Sequence, residues 1–337
     1  ALKRMYFMDE IILTGIKPTG TPHIGNYFGA IKPALELAEK HENSFYFIAD
    51  YHSLNTVKTA EELKTHTYEV AATWLACGLD PDKVVFYKQS DIPEVFELMW
   101  ILCNVTPKGL MNRAHAYKAA VQKNNEEGLD PDAGVNMGLY NYPILMAADI
   151  LLFNTNLVPV GQDQKQHVEM AKEIARYFNN KYGETFVVPK EYIRESVKVV
   201  PGLDGRKMSK SYNNAIEIFA PQNELKKKIF SIVTDSSLPS DPKPTDHMLL
   251  ELYKLFADPC EVAELTDKFK AGIGWGEVKK IAFEKVNEVL TPLREKFNEI
   301  YSNKAMIDDI LKQGAERARK LAKETLLKVR KAIGAQE

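Results

Sequence analysis

Cysteine is scarce in this 337-residue chain: Cys77, Cys103 and Cys260 are the only three, and no two of them form a C-x-x-C pair. Zinc knuckles, iron–sulfur clusters and disulfide scaffolds need closely spaced or numerous thiols, so the sequence argues against all of these. Cys77 and Cys103 stand among apolar neighbours and read as buried thiols in a reducing compartment. Long hydrophobic runs are missing too: no stretch of about 18 apolar residues occurs, so no membrane span is expected. No signal-peptide core opens the chain, which makes the cytoplasm the expected location. Nor is there an excess of one charge. Lys and Arg total 44 against 46 Asp and Glu, a net charge of −2. Proteins that coat nucleic acid are usually basic overall, so any RNA partner must be met by local patches.

What the chain does have is hydrophobic residues, 45% of the total, enough for two domains with real cores. Short β-branched and aromatic runs at residues 11–14, 45–49, 84–87 and 157–160 predict buried strands. Amphipathic stretches such as 61–76 and 163–182 predict helices between and after them. Strand–helix–strand units of this length predict an α/β fold with a doubly wound parallel sheet, whose ligands bind beyond the carboxyl ends of the strands. From residue 220 onward the pattern is helical throughout. The expected division is therefore an α/β catalytic domain over residues 1–215 and an all-α domain over 216–337. The last predicted helix, 315–333, carries Arg317, Arg319, Lys320, Lys323, Lys328, Arg330 and Lys331 against Glu316 and Glu324. A solvated face and a phosphate-contacting face are equally open readings of it, as they are for Lys226-Lys227-Lys228.

Two short motifs bear on chemistry. After the first strand comes Thr14-Gly15-Ile16-Lys17-Pro18-Thr19-Gly20-Thr21-Pro22-His23-Ile24-Gly25-Asn26. A strand, a Gly/Pro turn and a helix start form the place where such sheets receive a nucleotide, with backbone N–H groups and the helix dipole facing phosphate. Gly25 leaves room for adenine or ribose against the backbone. His23 and Asn26, at i and i+3, can point at one phosphate, although a His at a helix start is more often a cap or a surface residue. The second motif is Lys207-Met208-Ser209-Lys210-Ser211. Its two lysines, on a loop between the expected domains, suit a triphosphate held only while pyrophosphate leaves. A solvated charged loop is the alternative.

His23-Ile24-Gly25-Asn26 resembles the HIGH signature and Lys207 to Ser211 spells KMSKS, the pair that marks class I aminoacyl-tRNA synthetases. The resemblance implies a Rossmann-like catalytic half, ATP and Mg2+ as reactants, and a small helical anticodon-binding domain. It also implies a two-step reaction, in which an aminoacyl-adenylate forms with release of pyrophosphate and the acyl group then passes to tRNA. On this resemblance His23, Lys118, Lys207 and Lys210 carry the catalytic charge. Lys17, Pro18, Thr19, Gly25, Asn26, Gly161, Asp163, Met208 and Ser209 contact ATP. No metal ligand comes from a protein side chain. The family is homodimeric, and the apolar face of residues 94–103 could serve that interface.

The amino acid is read from Tyr142-Pro143-Ile144-Leu145-Met146-Ala147-Ala148-Asp149-Ile150-Leu151-Leu152. Met146 and Asp149 share one helix face, and a carboxylate in such apolar surroundings needs a donor. An indole N–H would satisfy it, and Met146 offers a polarisable surface to a flat ring. Demanding that hydrogen bond rejects phenylalanine. Taken alone, an Asp capping backbone or pairing with a Lys is the commoner case. The stretch is similar, however, to the tryptophan-specific members of the family. Their pattern implies a pocket of Leu13, Gly15, His52, Tyr142, Met146, Asp149, Val158, Val160 and Gln164, with L-tryptophan and its tRNA as partners. Tyrosine-specific members place a Tyr where Leu13 stands and a Gln where Met146 stands. Three departures from the pattern remain. Asn26 replaces the second His of HIGH, and Leu13 replaces a frequent Phe. Lys17 stands where many bacterial members have Gln, and a cation there could tighten ATP or carboxylate binding. A nucleotidyltransferase joining ATP to a small acid, and a silent paralogue, are the rival readings.

Overall fold

Side chains that alternate between two cores build the sheet. In β1 (Ile11–Ile16), Leu13 faces one core and Ile16 the other. In β2 (Asn43–Ile48), Phe45 and Phe47 join Leu13 while Tyr46 and Ile48 join Ile16. Val85 and Tyr87 of β3 (Val85–Lys88) oppose Phe86 in the same way. Each large apolar side chain so buried contributes about 2 kcal/mol. This computed structural model describes residues 10–161, 164–193 and 200–336. Its sheet has five parallel strands in the order β3-β2-β1-β4-β5, with β4 at Leu157–Val160 and β5 at Lys190–Ile193. The sequence pattern did not predict β5: Lys190-Glu191-Tyr192 is polar, as edge strands often are. The strand order reverses at β1 and β4, and a crevice opens beyond their carboxyl ends.

Helices cover both faces. The run Ile24–Asn26 and Tyr27–Ile31 continues into α1 (Lys32–Lys40). Next comes α2 (Ala60–Ala76), whose first turn is capped by the Thr59 hydroxyl accepting the Glu62 N–H at 3.1 Å. Ala34, Val70 and Leu75 pack these helices against Tyr46, Ile48 and Phe86. The opposite face is covered by α3 (Pro93–Cys103), α5 (Met137–Leu151) and α6 (Lys165–Tyr182), with α4 (His115–Glu126) beside them. The helices predicted at 61–76 and 163–182 correspond to α2 and α6.

Beyond residue 216 come α7 (Gln222–Phe230), α8 (Met248–Lys254), α9 (Pro259–Ala271), α10 (Trp275–Ser302) and α11 (Lys304–Ala332). Leu225, Ile229, Leu252, Phe269, Val278 and Val286 give this part its own core, which Ile24 and Met208 also enter. The final helix differs from its prediction. It is one helix of 29 residues starting at Lys304, and its apolar stripe of Ala315, Ala318, Ala322, Leu326 and Val329 returns to the sheet. Where it crosses β3 the backbones nearly touch, for a Cβ on Gly314 would lie 1.7 Å from the Phe86 carbonyl oxygen. Much of its basic charge is spent within the fold. Arg319 forks onto Glu94 at 2.8–3.1 Å, Arg330 onto Glu97, and Arg317 donates to the Pro81 carbonyl at 2.7 Å. Among the described residues no helix is long and apolar enough to cross a membrane.

Candidate active site

The helix that follows β1 starts with a reciprocal cap. The His23 Nδ1 accepts the Asn26 N–H at 3.2 Å, and the Asn26 Oδ1 accepts the His23 N–H at 3.1 Å. His23 is therefore a cap and also lines a cleft. Because its Nδ1 accepts, the ring proton sits on Nε2. Burial, followed by the positive charge of Lys210, holds its pKa below the ordinary histidine value, so the ring stays a neutral donor at pH 7. The room over Gly25 is filled by that ring: a Cβ there would lie 2.9 Å from it. The close approach that requires glycine is thus to His23 itself.

The lysine loop is tied to this turn. Ile24 N–H donates to the Ile216 carbonyl at 2.9 Å, and Ile218 N–H to Pro22 at 3.1 Å. Lys210 Nζ donates to the Thr21 carbonyl at 2.5 Å. A cleft of about 370 Å3 results, lined by Lys17, Thr19, Thr21, His23, Asn26, Ser209 and Lys210. Asn214 organises the loop: its amide donates to Asp204 at 2.7 Å and to the Lys207 carbonyl at 3.1 Å, and its oxygen accepts the Ser209 N–H at 2.8 Å.

A second cavity of about 500 Å3 opens at the carboxyl ends of β1 and β4. Leu13, Gly15, His52, Tyr142, Met146, Asp149, Val158, Val160 and Gln164 all line it, with Gly161, Phe47 and His167. Lys17 lines both cavities and stands where they meet. Asp149 is 2% exposed. His52 Nε2 lies 2.9 Å from its Oδ2, and Gln89 Nε2 donates to its Oδ1 at 3.0 Å and Oδ2 at 2.9 Å. Burial is the largest influence on this carboxyl and raises its pKa, which His52 and Gln89 pull back down. His52, expected from the resemblance in the amino-acid pocket, spends its imidazole on Asp149 here. At the mouth, the Tyr142 hydroxyl bonds His167 Nε2, and His167 Nδ1 lies 3.0 Å from Gln164 Oε1.

Other expected site residues stand apart. Met208 is buried in the helical core beneath Ile24, and its side chain lines neither cavity. Lys207 is exposed, its backbone paired with Pro201. Pro18 is buried outside both linings, and Lys118 lines a separate open cleft with Asn112 and Tyr117. Asp163 lies outside the described residues. Sequence reasoning missed Gln89 and His167. A Gln after a strand gives no periodic signal, and His167 reads as one more residue of an amphipathic helix.

Residues 9–291 match the model of the tRNA synthetases class I (W and Y) family. The chain is 52% identical to a tryptophan–tRNA ligase of Neisseria meningitidis, covering 96% of this chain and 97% of that one. It is also 52% identical to a tryptophan–tRNA ligase of Xanthomonas axonopodis pv. citri, covering 98% and 77% respectively. Among solved structures, tryptophanyl-tRNA synthetase from Campylobacter jejuni, complexed with ADP and tryptophan, superposes with a TM-score of 0.88 at 46% identity. The match covers 96% of this chain and 99% of that one.

Proposed function

The chain belongs to the class I tRNA synthetases for tryptophan and tyrosine, and we infer from its pocket that tryptophan is the amino acid it activates. It acts as a tryptophan–tRNA ligase, an enzyme that joins tryptophan to tRNA at the expense of ATP. The observation that carries the residue-level reading is Asp149, an acceptor buried in an otherwise apolar cavity beside Met146.

The indole ring enters with its N–H toward Asp149, and its carboxylate turns back toward Gln164 and Lys17. ATP takes the adjoining cleft beside Thr19, His23, Asn26 and Ser209, and Gly161, on the tryptophan side, is assigned to the adenosine. A carboxylate oxygen attacks the α-phosphorus, the bond to pyrophosphate breaks, and no protein nucleophile is required. His23 donates from Nε2, and Lys210 and Lys207 neutralise the leaving pyrophosphate; Lys210 exchanges the Thr21 carbonyl for phosphate oxygen. Lys118 reaches the phosphates if α4 draws inward. Among the described residues no carboxylate lines the cleft, and we assign the reaction's Mg2+ to the triphosphate's own oxygens. In the second step the terminal ribose hydroxyl of the tRNA attacks the carbonyl and AMP leaves.

Of the all-α residues 216–337, helices α7 to α10 are assigned to the anticodon end of the tRNA, since α11 packs back on the sheet. The chain is assigned to a homodimer formed through α3 and to the cytoplasm. Supporting the dimer is an exposed aromatic patch in which Tyr51 lies 4.9 Å from Phe96, with Trp100 at 72% exposure on the same helix. Charging of total bacterial tRNA with radiolabelled tryptophan tests the second step. Label in acid-precipitable RNA is expected, and its absence alongside intact pyrophosphate exchange would remove tRNA from the reading.

A further inference from the structure

Gln89 follows β3 in the short helical turn Gln89–Asp91, is 0% exposed and does not line the tryptophan cavity. It stands behind Asp149. Its Oε1 accepts the His52 backbone N–H at 3.3 Å, which fixes which way round the amide lies. The Nε2 is thereby turned to Asp149, where it donates to Oδ1 at 3.0 Å and Oδ2 at 2.9 Å. Two other groups act on the same carboxylate. The His52 imidazole donates to Oδ2 from the cavity side, and the negative charge of Asp50 opposes ionisation. Tyr87, fully buried nearby, keeps its own hydroxyl proton because of its burial and the Asp149 charge.

A lysine or arginine in place of Gln89 would cancel the carboxylate's charge. An amide supplies N–H groups without doing so, and the oxygens keep their full pull on a substrate donor. We propose that Gln89 is a specificity-determining positioning residue, holding the Asp149 carboxylate in its acceptor-only form and turned toward the substrate ring. The pocket then demands a ring N–H, although Gln89 never touches the substrate. This rests on the reading of Asp149 as the acceptor of the indole N–H.

The test compares kcat/KM in pyrophosphate exchange for tryptophan and for its isostere with sulfur in place of the ring N–H, using wild type, Gln89→Met and Asp149→Asn. Gln89→Met is expected to lower kcat/KM for tryptophan by about tenfold, chiefly through KM. The isostere and the KM for ATP should stay within roughly twofold, because neither uses that hydrogen bond. The acidic limb of tryptophan KM should also move to higher pH. Gln89→Glu keeps the shape but sets a second acid beside Asp149, and should move that limb further. Equal losses on both substrates would make Gln89 merely structural and overturn the proposal. If Asp149→Asn collapses the discrimination and Gln89→Met leaves it intact, the Gln89 proposal alone fails. If neither variant changes the ratio, the assignment of Asp149 to the indole fails, and the proposal with it.

Discussion

Asp149 combines an apolar environment with a task that needs charge. Its carboxyl is pushed above the ordinary range chiefly by burial, so tryptophan affinity should be gained as pH rises through that raised value. The acidic limb of tryptophan KM is therefore expected above the limb of a surface carboxylate; a limb that coincides with a surface carboxylate's would contradict this. For folding the sign is opposite. A carboxyl with a raised folded pKa gives its full stabilisation below the unfolded value, and the ligand-free protein loses it as pH climbs through the raised one. His23 works in the other direction: its pKa is lowered, so its neutral form suits the fold and stability is lost as pH falls below the ordinary histidine range. At this scale the sequence was informative where apolar residues framed a polar one. Met146 and Asp149 were legible as i and i+3 on a buried helix. Gln89 was not, because its meaning lies in a partner sixty residues away in the chain.

At the scale of elements, α11 is set by one position. A methyl group at Gly314 would meet the Phe86 carbonyl, so Gly314→Ala must push the helix off β3 and strain the packing of Ala315 and Ala318. A loss of at least about 2 kcal/mol is expected in chemical denaturation. An unchanged midpoint would mean the helix does not depend on that close approach. The same helix shows where sequence reading stopped. Its basic residues were visible, but their partners on α3 were not, since Glu94 and Glu97 lie far back in the chain. The strands β1 to β4 were legible from β-branched and aromatic runs. The polar edge strand β5 carried no such pattern.

For the whole molecule, two cavities join at Lys17, one lined by the strand ends and α5, the other by the HIGH-like turn and the lysine loop. The exposed aromatic patch on the α3 side marks the face expected to pair with a second copy. Trp100→Glu should shift sedimentation from dimer to monomer while leaving the isolated fold intact. A dimer unaffected by that change would move the interface elsewhere. The central claim is that this fold activates tryptophan because Asp149 demands an indole N–H. The most direct measurement is amino-acid-dependent pyrophosphate exchange, with tryptophan and tyrosine side by side, on wild type and Asp149→Ala. Exchange with tryptophan alone, reduced by about a hundredfold or more in the variant, is predicted; exchange with tyrosine, or an Asp149→Ala enzyme as active as wild type, would contradict it.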